Sequence, residues 1–194
     1  SIATIPSQTE AIEFAASYIK SGPGSEFLFN LNIGQEVMTS GPSGRLVLRD
    51  EKPQRYILVA TGTGVTPYRA MLTELSRRFI EQPSLQVVLL LGVRNRQELL
   101  YGDDFVAFAK LHPQFQFVPH YSREALSDLS SFERHGYVQT MFDELKVNPL
   151  EDIIYLCGNP NMIDEAFAKL RTFGFDAHTI RREKYISPGV KSTV

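Results

Sequence analysis

Residues 56–67, Tyr56-Ile57-Leu58-Val59-Ala60-Thr61-Gly62-Thr63-Gly64-Val65-Thr66-Pro67, pass from a wholly apolar run through a glycine pair into a helical pattern. The apolar run reads as a strand buried on both faces. Two glycines let the backbone turn sharply and approach a ligand where a Cβ would intrude. Thr66 is expected to cap the following helix and Pro67 to take its first position, where no amide hydrogen is needed. Free N–H groups then converge on one point, an arrangement suited to a pyrophosphate. A glycine pair also occurs in plain tight turns. The strand before it and the helix after it favour the nucleotide reading.

Outward from this turn, strands and helices alternate. Tyr68, Met71, Leu72, Leu75 and Phe79 share one helical face at spacings of three and four. Val87–Leu91, Phe115–Val118 and Ile153–Cys157 read as buried strands, and a last strand is expected within Ala177–Ile180. A helix beginning near Asp103 would bury Phe105, Phe108, Ala109 and Leu111. Two more are expected over Tyr137–Leu145 and Met162–Phe173, the second ended by Gly174. The alternation predicts an α/β fold, a doubly wound parallel sheet over 55–194. Residues 1–49 read as β structure with one short helix, with strands at Ile12–Ile19 and Arg45–Leu48. Asp50–Gln54 reads as a linker, so the expected domains are 1–54 and 55–194.

At 194 residues the chain can bury a real core, and its net charge of −2 provides no basic field for nucleic acid or anionic lipid. A single cysteine, Cys157, suits a reducing compartment and cannot form an internal disulfide. No apolar run reaches the roughly 20 residues of a membrane span. The first residues lack the basic start and apolar stretch of a signal peptide. A cytoplasmic enzyme is the expectation, with no metal site.

Ligands of such sheets bind at the strand ends. After the second strand come Arg94-Asn95-Arg96, where a carboxylate would be needed to accept a ribose 2′-hydroxyl. After the third stand Ser122-Arg123-Glu124, a hydroxyl and a guanidinium suited to a 2′-phosphate. After the fourth comes Cys157-Gly158, where the cysteine could equally be a small apolar residue.

Taken in order, these segments resemble the ferredoxin–NADP reductase family, and the resemblance runs from Ser1 to about Tyr185. Ser1-Ile2-Ala3-Thr4 looks like the end of the family's Arg-x-Tyr-Ser flavin motif. Gly22-Pro23-Gly24-Ser25 resembles its Gly-x-x-Ser turn for the FAD pyrophosphate, and Gly41-Pro42-Ser43-Gly44 the turn before the last barrel strand. Residues 62–67 match the pyridine-nucleotide loop, Ser122-Arg123-Glu124 the 2′-phosphate motif, Tyr137 the adenine-contacting tyrosine, Cys157-Gly158 the nicotinamide motif, and Glu183-Lys184-Tyr185 the terminal Glu-x-aromatic.

The resemblance implies FAD and NADP as cofactors, with residues 1–54 forming the last part of an antiparallel flavin barrel whose first part is not in this chain. It implies cofactor contacts at Ser1, Gly22, Gly24, Ser25, Gly62, Thr63, Gly64, Thr66, Pro67, Arg94, Ser122, Arg123, Tyr137, Gly158 and Tyr185. Ser1, Cys157, Glu183 and Tyr185 would be catalytic: Ser1 bonding near flavin N5, Glu183 supporting it and relaying protons, Cys157 packing on the nicotinamide and Tyr185 covering the flavin. The implied partner is a ferredoxin or flavodoxin. His135 stands where plant-type members have a lysine, and Arg134 could substitute. The continuation Ile186–Val194 is more like bacterial members. Two alternatives are an oxygenase reductase or NADPH–flavin reductase of the same modules, and a nucleotide-binding module without flavin. One cysteine cannot ligate an iron–sulfur cluster within this chain.

Overall fold

A computed structural model describes residues 1–5, 11–41, 44–124 and 129–185. Six parallel strands form one sheet: β1 (Arg55–Thr61), β2 (Gln86–Val93), β3 (Phe115–Tyr121), β4 (Arg134–His135), β5 (Asp152–Gly158) and β6 (Ile180–Lys184), in the order β4-β3-β2-β1-β5-β6. The order reverses beside β1, and this switch point is where the glycine turn sits. The helices are α1 (Pro23–Phe29), α2 (Thr66–Ala70), α3 (Leu72–Glu81), α4 (Gly102–Leu111), α5 (Met141–Glu144) and α6 (Pro160–Thr172).

Alternating side chains of β1 serve two cores. Tyr56, Leu58 and Ala60 pack with Tyr68, Leu75 and Phe105 on one face; Ile57 and Val59 pack with Phe142, Ile163 and Leu170 on the other. Burial on both faces explains why the strands read as continuous apolar runs rather than alternating ones. All five residues expected on the buried face after the glycine turn are buried, although the helix is broken at Met71 into α2 and α3.

Four expectations need correction. No barrel strand forms among the described residues of 1–54. The segment has α1 and a single antiparallel bridge, Ile2 with Phe14, and Ile12, Phe14 and Tyr18 are exposed. Strand propensity alone cannot hold a ladder that has no neighbour to receive its hydrogen bonds. The last strand starts at Ile180, because the Asp176 carboxylate accepts from the N–H groups of His178 and Thr179 and bends the chain there. Leu111, the last residue of α4, is exposed. The fourth concerns Thr66, at the site below. Two of the expectations fall outside the described residues: positions 42 and 43 of the expected turn, and the tail 186–194.

The N-terminal segment is held to the sheet domain by Arg69 of α2. Its guanidinium donates to the Ala3 carbonyl (2.8 Å), Glu13 (2.9 Å) and Asp104 (2.6 Å), and lies 4.4 Å from the Tyr101 ring centroid.

His120 of β3 is wholly buried, with Nδ1 3.1 Å from the Val118 carbonyl oxygen and Nε2 without a partner among the described residues. Burial pushes its pKa down to about 4, with Arg134 adding to the effect and the Val118 carbonyl and Glu144 opposing it. The unfolded ring titrates near 6.5. Stability is therefore complete above that value and falls as pH drops toward 4, since the unfolded state takes up the proton first. Urea midpoints measured from pH 7 to pH 5 should decline, and His120→Gln should flatten the decline. An identical slope in the variant would remove His120 from this account.

Candidate functional site

At the C-terminal end of β1 the backbone enters a 3-10 turn over Gly62–Val65. Gly62 has φ +52° and open space at its Cβ position, so it is needed for conformation. Gly64 is needed for room. A Cβ there would overlap the Cys157 carbonyl oxygen and lie 2.6 Å from its carbon and 2.7 Å from Gly158 Cα. Gly158 needs both: its φ is +123°, and a Cβ would come 2.6 Å from the Thr61 carbonyl oxygen. The ends of β1 and β5 are thus pressed together, and Asn159 N–H donates to Thr61 Oγ1 at 3.0 Å.

Thr66 does not cap α2. It already has helical angles (φ −53°, ψ −48°), and its hydroxyl donates back to the Thr63 carbonyl at 2.9 Å. A capping residue needs an extended backbone. Asn159 meets that condition at α6, where its side chain accepts from the N–H groups of Asn161 and Met162. Pro67 is the second residue of α2.

Beside this junction, four residues from distant parts of the chain converge. The Ser1 hydroxyl donates to Glu183 Oε1 at 2.9 Å. Glu183 is the register neighbour of Cys157 across β5 and β6. Tyr185 anchors its backbone N–H on the Gly158 carbonyl (2.8 Å), and its hydroxyl lies 3.3 Å from Thr66 Oγ1. Burial, with the Glu183 charge adding, pushes the Cys157 thiol up to about 12 against the Tyr185 hydrogen bond. Burial and the neighbouring Cys157 likewise raise Tyr185 to about 12, against hydrogen bonds from Ser1 and Thr66. Both groups are neutral at ordinary pH, so they can pack and hydrogen-bond but do not act as nucleophiles.

A groove of about 1120 Å³ runs from Ser25 past Tyr185 and Gly62 to Arg94, Arg123 and Tyr137. Ser1, Thr63, Ser122 and Gly158 also line it. Gly64, Thr66, Pro67 and Cys157 are buried and do not line it. At the far end, the N–H groups of Ser122 and Arg123 donate to the carbonyls of Val93 and Arg94, both at 3.0 Å. This joins the β2 and β3 ends and puts Arg94 and Arg123 on one rim. Among the described residues the Arg94 guanidinium pairs with Glu98 at 3.8 Å, a loose exposed pair. Tyr137 is exposed and lines the groove, where an aromatic ring can stack on a planar group.

The Gly22–Ser25 turn forms, with Gly22 ahead of α1 and Gly24 exposed. The Ser25 hydroxyl is spent inside the turn: it donates to the Ile19 carbonyl at 2.8 Å and accepts from the Ile19 N–H at 3.1 Å.

Sequence reasoning missed Arg69, described above, and the Glu133 carboxylate that joins Arg96 to Tyr121. Arg96 and Glu133 stand 37 positions apart, and no local pattern pairs them.

With this geometry in hand, residues 58–167 match the family model for the oxidoreductase NAD-binding domain. Over 188 residues the chain is 31% identical to a ferredoxin–NADP reductase of Azotobacter vinelandii, covering 87% of this chain and 69% of that protein. It is 31% identical over 175 residues to the toluate 1,2-dioxygenase electron transfer component of Pseudomonas putida, covering 90% of this chain and 50% of that protein. A crystal structure of a cytochrome P450 reductase from Amycolatopsis superposes with a TM-score of 0.76 at 26% identity, over 95% of this chain and 55% of the other. The chain spans about half the length of several curated relatives it matches.

Proposed function

The chain belongs to the ferredoxin–NADP reductase family of oxidoreductases, and from that premise we propose that it passes electrons between NADPH and a ferredoxin or flavodoxin through FAD. The observation that carries the reading is the convergence of Ser1, Glu183, Tyr185 and Cys157 beside the glycine turn, along a groove of about 1120 Å³. Simple nucleotide binding requires neither the Ser1–Glu183 bond nor a neutral tyrosine over a buried thiol.

Residues 55–194 would be the NADP domain, and residues 1–54 the last part of the FAD domain. The N–H groups around Gly62–Thr66 would hold the pyrophosphate, Ser122 and Arg123 the 2′-phosphate with Arg94 nearby, and Tyr137 the adenine face. Gly158 leaves the nicotinamide room above Cys157, whose neutral thiol packs beneath. Tyr185 would cover the flavin position and would have to move aside for the nicotinamide. Ser1 and Glu183 hold a hydrogen-bonded proton path at the reacting edge. When bound, FAD supplies the conversion between a two-electron donor and a one-electron acceptor. Positioning is the main device the protein adds.

A second reading, the reductase of an oxygenase, is favoured by the likeness to the toluate dioxygenase component. Anaerobic NADPH titration of the flavin-loaded full-length protein tests the common core. Bleaching of the flavin absorbance is expected, and an unchanged spectrum would overturn the proposal. Reduction of ferredoxin against reduction of an oxygenase partner then separates the two acceptors.

Nucleotide choice gives a sharper prediction. Loss of one charged hydrogen bond to phosphate costs about 1.5–3 kcal/mol, roughly ten- to a hundredfold in affinity. Arg123→Ala should therefore weaken NADPH by that factor and leave NADH nearly unchanged. Equal losses in equilibrium binding would sink the assignment.

A further inference from the structure

The stretch bearing Ser122 and Arg123 is fastened by a set of groups of which Arg96, Tyr121, Glu124, Ser130 and Glu133 do not line the groove and Gly136 does. Glu133 is nearly buried and accepts hydrogen bonds on both oxygens. The Tyr121 hydroxyl donates to Oε1 at 2.8 Å, while Arg96 Nη2 and the Ser130 N–H donate to Oε2, both at 2.9 Å. Arg96 Nε adds a longer bond to Oε1 at 3.3 Å. The backbone N–H of Arg96 donates to Glu124 Oε2 at 2.7 Å, and the Gly136 N–H to the Tyr121 carbonyl at 2.9 Å. Arg96 is thus held by an acid on each side of the described loop ends, and Tyr121 immediately precedes Ser122.

Of the three arginines near this rim, Arg94 and Arg123 face the groove; Arg96 is committed to Glu133. Burial would raise the Glu133 carboxyl, but Arg96, the Ser130 N–H and the Tyr121 hydroxyl outweigh it and hold it near 2. The clasp therefore stays charged throughout the ordinary pH range.

We propose that Glu133 is a positioning residue for 2′-phosphate selectivity, acting through Arg96 and Tyr121 to hold Ser122 and Arg123 in place. This rests on the nucleotide assignment above. Released from Glu133, the loop ends keep their backbone bonds to Val93 and Arg94 but lose the side-chain fastening across residues 96, 121 and 133. A phosphate site depends on donor placement to a fraction of an ångström, so loosening it should cost the phosphate and spare the rest of the nucleotide.

The test uses two small probes, adenosine 2′,5′-bisphosphate and adenosine 5′-monophosphate, titrated calorimetrically into the protein and its variants. Glu133→Gln is expected to weaken the bisphosphate about tenfold, the scale of one lost charged hydrogen bond, and to leave the monophosphate unchanged. Tyr121→Phe removes one donor from the clasp while keeping the ring, and should give a smaller loss of the same selectivity. It also serves if Glu133→Gln fails to fold. Arg123→Ala is the reference for the assignment itself. If Arg123→Ala is selective while folded Glu133→Gln and Tyr121→Phe weaken both probes equally or neither, the clasp proposal is overturned and the assignment stands. If Arg123→Ala does not discriminate the probes, the assignment fails and the proposal with it.

Discussion

Gly64→Ala should abolish nicotinamide nucleotide binding, NADPH and NADH alike, while Gly62→Ala should weaken it only moderately. The two glycines sit two residues apart, yet they answer different demands. A methyl at 64 would overlap the Cys157 carbonyl oxygen and press on Gly158 Cα at 2.7 Å. These atoms belong to the end of a central strand, paired on both sides, and have no rotamer into which they can retreat. Overpacking of this kind costs about 1–3 kcal/mol, occasionally more. The relief is to push the turn outward, which misplaces the pyrophosphate donors shared by both nucleotides. At 62 the methyl would enter open space and the cost is the left-handed backbone, roughly 1–2 kcal/mol. Fluorescence titration with both nucleotides, together with the thermal midpoint, separates the cases. Parent-like affinity in Gly64→Ala would show that the pinch between β1 and β5 does not shape the site.

The 194-residue chain by itself is expected to purify with little FAD, while still folding its sheet domain and binding NADP. On the proposed reading, Ser1, Glu183 and Tyr185 would offer one side of a flavin position, and the Gly22–Ser25 turn lies along the same groove. That turn already spends its serine hydroxyl on Ile19, and the described residues before Arg55 build no sheet against which a ring system could lie. Phe14, Phe27 and Phe29 are more than half exposed, so the apolar surface a flavin barrel would bury faces solvent. An absorbance spectrum of the purified chain decides the matter. Stoichiometric flavin, with acceptor reduction at the rate of an intact reductase, would refute the expectation.

The α/β half was legible because its physics is local and repetitive. A strand buried on both faces, such as Val87–Leu91, has to be apolar throughout, and the helix after the glycine turn has to repeat at three and four. The strand-end segments were legible because glycine and arginine are scarce answers to steep demands on space and charge. The first 54 residues were not, because a strand such as Ile12–Ile19 exists only if a neighbour receives its hydrogen bonds. Nothing within its eight residues says whether one does. The error at Ala177–Ile180 has a different origin: the Asp176 side chain outcompeted a modest strand preference. The clasp of Arg96, Tyr121 and Glu133 was invisible for a third reason, since its members meet only after three strands have been laid side by side.

The chain's one sulfur atom lies within the cluster that would meet the nicotinamide, and its environment makes it chemically quiet. With the thiol held near 12, on the order of one molecule in 10⁵ carries a thiolate at pH 7. Peroxides and alkylating agents attack the thiolate, so Cys157 would survive exposures that consume ordinary surface cysteines. The one thiol of this chain is thus folded away, hydrogen-bonded to Tyr185 and out of reach of solvent oxidants.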